Sequence, residues 1–301
     1  MANLKQIKRR IKSARNIRKI TRTMKMVAVA KVQKAKRVEA ASGRFALELY
    51  QLVRDLRADR QASELSTGHP LFKTPPITRS QIMVFISSDR GLCGSYNSNL
   101  TRDFLAACEV DLKQGIRTQV ICVGKKAYLA CKKAAMPLRS FVAQPASGKT
   151  AALARHLADE LSKIFLAAEC DRVVLVYNRF VSMVRHDRVF ETLLPIATLP
   201  EHAAPQARQG VAIEWVIEPG VSQVLASVLP YHLQTQIYQA LLSASAAEHA
   251  ARMLAMSSAT DNASDMIRRL TLLYNKVRQA AITKEILEIV GGAKALKRGK
   301  S

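Results

Sequence analysis

Residues 243–296, SASAAEHAARMLAMSSATDNASDMIRRLTLLYNKVRQAAITKEILEIVGGAKAL, decide how the rest of the chain is read. They hold no Pro, and no Gly before Gly291-Gly292, so they form one helix tens of residues long. Met266, Leu270, Leu273, Val277, Ala280 and Leu287 follow three- and four-residue steps, with Lys284 between. The last turns become apolar on nearly every side, and such a helix needs something to enclose it.

A second long helix is expected at the other end, from about Asn3 to Asp59. Its stripe runs through Leu4, Ile7, Ile11, Ala14, Ile17, Met24, Val27, Ala28, Val32 and Ala35, near coiled-coil spacing, with Gly43 a tolerable interruption. A helix of that length reaches roughly 80 Å. Two terminal stripes without partners of their own pack most simply on each other. The expected fold is therefore α/β plus long helices: an antiparallel coiled coil of N- and C-terminal helices with an inserted Rossmann-like α/β domain. The expected boundaries are 1–60 for the first helix, 61–80 for a linker, 81–217 for the α/β domain, 218–296 for the second long helix and 297–301 for a basic tail. Pro230 is expected to kink or interrupt the second helix, which Ser222 is placed to cap. Between the helices, strands read at 81–87, 116–123, 138–143 and 172–177 alternate with helices at 98–113, 125–135 and 150–168. That alternation implies a mostly parallel sheet covered on both faces. Further short strands are expected at 188–194 and 211–217.

Charge is the strongest compositional signal. The 301 residues carry a formal net charge of +24, and residues 1–38 hold fourteen Lys or Arg and no acid. An arm of that kind seeks an acidic partner: nucleic acid, anionic lipid or acidic protein. Nucleic-acid reading generally adds stacking side chains, and residues 1–44 contain no aromatic. Five cysteines without a CxxC spacing argue against a disulfide framework or a zinc site. No apolar run approaches the roughly 18–20 residues of a membrane span. The N-terminus is basic and amphipathic, without a secretory apolar core.

Catalytic motifs are weak. Ser147–Thr150 (SGKT) ends like a phosphate-binding loop, but Ala143 stands where that loop needs glycine. Ser87–Asn97 (SSDRGLCGSYN) follows the first strand as a glycine-bearing turn, yet it is not GxGxxG. No HExxH, His/Cys cluster or Ser/His/Asp arrangement is present, so no catalytic, cofactor or metal residue is assigned.

Three segments resemble the gamma subunit of rotary ATP synthases. Ile20–Lys31 is similar to the pattern KITxxMxMVAxxK. The turn from Ser88 is similar to SDRGLCGGxN, with Ser95 in place of the second glycine, which argues against a positive φ there. Ala247–Met253, Ala259–Ala263, Tyr274–Thr283 and Glu288–Ala293 follow the family's C-terminal helix. The resemblance covers essentially the whole chain. It implies a non-catalytic rotor shaft inside a hexamer of alternating alpha and beta subunits. The same resemblance implies an epsilon subunit beside the shaft, a membrane-embedded c-ring below it, one copy per complex and no nucleic acid.

Site residues follow from the same resemblance. It places Arg278, Gln279, Thr283 and Glu285 as catch residues against beta, and Lys8, Arg9, Arg10 and Arg15 opposite acidic residues of the beta lever loop. Met24 and Lys25 fall where the rotor packs on beta, and Arg252 at a helix–helix or rotor contact. Trp215 and Glu218 fall in the part facing the c-ring. Ile282, Ile286, Leu287, Ile289 and Val290 form an apolar bearing tip. The family's opening pattern begins almost at Met1, leaving no room for a transit extension, and the closely spaced cysteine pair of chloroplast-type subunits is absent. The expected place is the cytoplasmic side of a bacterial plasma membrane, without thiol regulation. The alternatives are a basic coiled-coil nucleic-acid binder and a nucleotide-dependent α/β enzyme.

Overall fold

The computed structural model describes residues 4–58, 69–145, 148–196 and 220–298. Two helices dominate: α1, Leu4–Ala58, and α5, Val221–Arg298. Between them lie β1 (Ser80–Ile86), α2 (Tyr96–Lys113), β2 (Arg117–Val123), α3 (Lys125–Lys133), β3 (Leu138–Val142), α4 (Thr150–Leu166), β4 (Arg172–Phe180) and β5 (His186–Leu194). By contacts the chain divides into two units, Met1–Val27 with Met253–Ser301, and Ala28–Arg252.

In the first unit the helices run antiparallel. Thr21 Oγ1 lies 2.8 Å from Thr260 Oγ1, and Lys25 Nζ donates to Ser257 Oγ at 3.0 Å, so moving up one helix means moving down the other. Ile7, Ile11, Ala14 and Thr21 are buried on α1. On α5 the inward positions are Met256, Thr260, Ala263, Ile267, Leu270, Tyr274, Val277 and Ala281, a strict four-three alternation. This keeps Leu270 and Val277 of the stripe read from sequence and corrects the positions between them. Met266 and Leu273 are exposed on α5, as are Ile17 and Val27 on α1. The helices carry more apolar residues than one seam can cover, so periodicity alone left the facing row open to a one-residue shift.

The second unit is built on a five-stranded sheet of order β3-β2-β1-β4-β5, parallel except for the antiparallel β4–β5 pair. Alternate residues of β1, β2 and β4 feed opposite cores. Met83 and Phe85 of β1, with Val174 and Val176 of β4, meet Leu100 and Phe104 of α2 and Cys131 of α3. Ile82, Val84, Ile86, Val173 and Leu175 meet α4 and the first turns of α5. There Leu225, Leu229, Leu233 and Ile237 recur every four residues and are almost wholly buried, and each such side chain contributes roughly 1.5–3 kcal/mol. α1 and α5 are antiparallel here too: Gln239 Nε2 donates to Ser42 Oγ at 2.9 Å, and Tyr50 meets the His232 ring edge-on at 5.1 Å.

Pro230 does not interrupt α5. It sits exposed within the helix, on the side away from Leu229 and Leu233. In the stretch read as a linker, Leu71 and Phe72 are buried in a short 3-10 turn, Pro70–Phe72. The strand expected at 211–217 lies outside the described residues.

Candidate functional site

In a doubly wound sheet, ligands normally bind beyond the carboxyl ends of the strands, where the strand order reverses. Here that place lies beyond β1, between β2 and β4, and the turn Ser87–Asn97 occupies it. The turn is closed by its own side chains. Ser88 Oγ donates to Arg90 O at 2.7 Å and lies 2.9 Å from Asn97 Oδ1, and Asn97 Nδ2 reaches Cys93 Sγ at 3.2 Å. Leu92 and Gly94 adopt φ of 64° and 59°, whereas Ser95 has φ −85°, in keeping with the serine that departs from the family pattern. Asp89 fills the place a phosphate would take: its Oδ1 accepts Lys125 N at 2.8 Å, at the start of α3. Gln144 N also points at the Asp89 carboxylate, and Gln144 Nε2 donates to Ser87 O at 2.7 Å.

α5 then covers the turn. Cys93 and Tyr96 pack on Ala247 and Ala251, small residues that let the helix approach closely, and Tyr96 OH donates to Ala244 O at 3.0 Å. Arg252, 9% exposed, is the latch. Its Nη2 donates to Glu248 Oε1 at 2.5 Å and to Gly91 O at 3.4 Å, and its Nη1 to His249 Nδ1 at 2.9 Å. The other oxygen of the Glu248 carboxylate, Oε2, is buried without a hydrogen-bond partner among the described residues, and Arg252 is the cation paired with that charge. Placed by resemblance at a helix–helix or rotor contact, Arg252 is turned inward onto the turn.

Burial pushes His232 down to about 4, and burial with Arg252 and Lys31 nearby pushes His249 down to about 4. An unfolded histidine takes its proton near pH 6.5, so between about pH 6.5 and 4 the unfolded chain binds more protons. Stability is then full above about pH 6.5 and falls as pH drops to about 4, by up to roughly 3 kcal/mol per histidine. Burial raises Glu39, which acts the other way in the carboxylate range. Urea midpoints at pH 7 and pH 5 are expected to differ clearly, and His232→Met to narrow the gap. Equal midpoints would contradict the buried neutral rings.

The remaining sequence-assigned residues lie on the long helices. Lys8, Arg9, Arg10 and Arg15 are exposed on α1, and none pairs with a carboxylate among the described residues. Met24 is half-buried, and Lys25 is turned to Ser257. Arg278, Gln279, Thr283 and Glu285 are exposed on α5, with Thr283 Oγ1 donating to Gln279 O at 3.0 Å. Ile282, Ile286, Leu287, Ile289 and Val290 are all exposed, Ile289 to 71%. Ala281 is the last position of the inward row. Trp215 and Glu218 lie outside the described residues. Sequence reasoning missed Asp89, Gln144, Glu248 and His249; the quoted patterns contained three of them, but nothing in the sequence paired the turn with the helix.

A sheet whose ligand end is closed by its own terminal helix defines a scaffold class: an α/β unit inserted between paired long helices. The family model described as ATP synthase matches residues 3–296. The ATP synthase gamma chain of Nitratidesulfovibrio vulgaris (strain DSM 19637 / Miyazaki F) is 38% identical over 297 residues, 99% of this chain and 100% of that one. A chain in the central stalk and c-ring structure of Tetrahymena thermophila mitochondrial ATP synthase superposes with a TM-score of 0.60 at 26% identity, covering 80% of this chain and 99% of that one. One in the Euglena gracilis mitochondrial ATP synthase, rotational state 3, gives 0.65 at 20% identity over 99% and 96%, a likeness of fold. The chain belongs to the ATP synthase gamma chain family.

Proposed function

We propose that this chain is the central rotor shaft of a rotary ATP synthase, coupling transmembrane ion flow to ATP synthesis or hydrolysis in the beta subunits. The shaft is a non-catalytic subunit, and the chemistry belongs to the complex. The observation that carries this reading is the end of α5. From Ile282 to Val290 the helix is exposed, five of its nine residues are large and apolar, and the inward row has already ended at Ala281. A sleeve of alternating alpha and beta subunits supplies the missing enclosure, and apolar contacts without directional bonds let the tip turn. Lys8, Arg9, Arg10, Arg15, Met24 and Lys25 on α1, with Arg278, Gln279, Thr283 and Glu285 on α5, are the proposed beta contacts. Arg252 supports the shaft from within. The segment with Trp215 and Glu218 is proposed to face the c-ring, next to epsilon.

None of the described helices is long and apolar enough to cross a membrane. The proposed location is peripheral, on the cytoplasmic face of a bacterial plasma membrane, held there through the complex.

Tagged chain co-expressed with its partner subunits is expected to bring down alpha and beta in a three-to-three ratio. Truncation after Ala281 is expected to lower the yield of intact complex several-fold and to reduce synthesis more than hydrolysis. Full assembly with an unchanged ratio of the two activities, or ATP hydrolysis by the purified chain alone, would overturn the assignment.

A further inference from the structure

The net charge of +24 has a second source besides the N-terminal arm. Residues 112–158 contain nine Lys or Arg and no Asp or Glu. Parallel pairing gathers part of this stretch at one end of the sheet, the end where strands begin and helices finish. Ser80 of β1 lies beside Arg117 of β2, and Arg117 N donates to Arg79 O at 2.9 Å. Val120 lies beside Leu138, where β3 starts. Lys113 ends α2 and Lys132 and Lys133 end α3, so all three arrive at the same end as Arg117. All four side chains are exposed, and none makes an ion pair among the described residues.

Lysine in the last turn of a helix meets the negative end of the helix dipole, which explains the choice of cation there. It does not explain the apolar residues beside them. Ile77, just before β1, is 65% exposed and Leu112 is 74% exposed. Large apolar side chains exposed at the same end as cations that make no ion pair among the described residues have the make-up of a protein interface: apolar contact area, charge around it and a sign that selects the partner.

We propose that this strand-start end of the α/β unit docks an acidic protein surface on another subunit of the complex, with Ile77 and Leu112 at its centre and Lys113, Arg117, Lys132 and Lys133 at its rim. It is a different surface from the helix tip and from the latched turn at the other end of the sheet. The proposal rests on the shaft assignment.

The test uses the purified complex. Carbodiimide joins an amine directly to a carboxylate, so Lys113, Lys132 or Lys133 is expected to become linked to aspartates or glutamates of another subunit. Ile77→Ser with Leu112→Ser leaves every lysine in place and is expected to reduce those links roughly tenfold. Lys113→Gln, Arg117→Gln, Lys132→Gln and Lys133→Gln together are expected to release that subunit at lower salt while alpha and beta stay bound. Links confined to this chain, or equal acetylation of the three lysines in free chain and complex, would overturn the proposal. Protection of the lysines only when anionic lipid is present would also overturn it, in favour of a membrane surface. Absence of alpha and beta from the same sample would instead remove the shaft assignment beneath it.

Discussion

Gly124→Ala is expected to destabilise the α/β unit by at least about 3 kcal/mol, the sum of a glycine-only backbone conformation and a backbone collision. Gly124 joins β2 to α3 with φ +100° and ψ 141°, a region closed to L side chains. A Cβ there would lie 2.3 Å from Ser87 O and 2.8 Å from Ser87 C. Neither strand has room to retreat. Ser87 N donates to Val123 O at 2.8 Å, and Gly124 N to Val142 O at 2.8 Å, so the glycine is held between the ends of β1 and β3. The urea midpoint of the full chain should fall sharply, with loss of the native near-ultraviolet signal. Gly43→Ala is the matched control: nothing lies within 4 Å of its added methyl, and the residue is helical, so stability should hold or rise by up to about 1 kcal/mol. Equal midpoints for the two variants would show that the β2–α3 junction is not built as described.

Arg252→Ala is expected to cost about 3–5 kcal/mol, the usual penalty for leaving one member of a buried ion pair uncompensated. The Glu248 side chain is only 5% exposed, and its Oε2 already lacks a hydrogen-bond partner among the described residues. Removing the guanidinium also takes the donor away from Gly91 O and from His249 Nδ1. A purely electrostatic loss and a loss of the latch separate in the double variant. Arg252→Met with Glu248→Leu removes both charges and should recover most of the stability, since apolar replacements of buried pairs are often neutral. The turn would still lack its donors, so amide exchange at Gly91 and Leu92 should remain faster than in the parent. Identical exchange in parent and double variant would mean that Arg252 does not hold the turn.

Much of this molecule is legible in its sequence because the features are local. Strand–helix alternation over 81–180 comes from apolar runs closed by Gly115, Gly124 and similar turns, and each observed strand lies within a few residues of its expected place. The long helices follow from the scarcity of Pro and Gly, and their charged, apolar-tipped character from residue type alone. The interruption expected at Pro230 does not occur, because a proline far from the packed face, near the start of a 78-residue helix, removes little that the neighbouring turns need. Alternate positions of the α5 row were misplaced by one residue for a related reason, while Leu270 and Val277 stand in both readings. Met266 and Leu273 are as apolar as Ile267 and Tyr274, and only the position of α1 decides which pair is covered.

The sequence by itself therefore determined the elements, their order, the two basic blocks and the greasy end of the last helix. Each is fixed by steric and solvation preferences within a few residues. Tertiary structure alone decided that Arg252 serves the Ser87–Asn97 turn and that Asp89 occupies the start of α3. It also decided that Lys25 turns to Ser257, and that the cations of α2, α3 and β2 meet at one end of the sheet. Those contacts join residues as many as 232 positions apart, and their energy depends on distance and burial, quantities that exist only once the chain has folded back on itself.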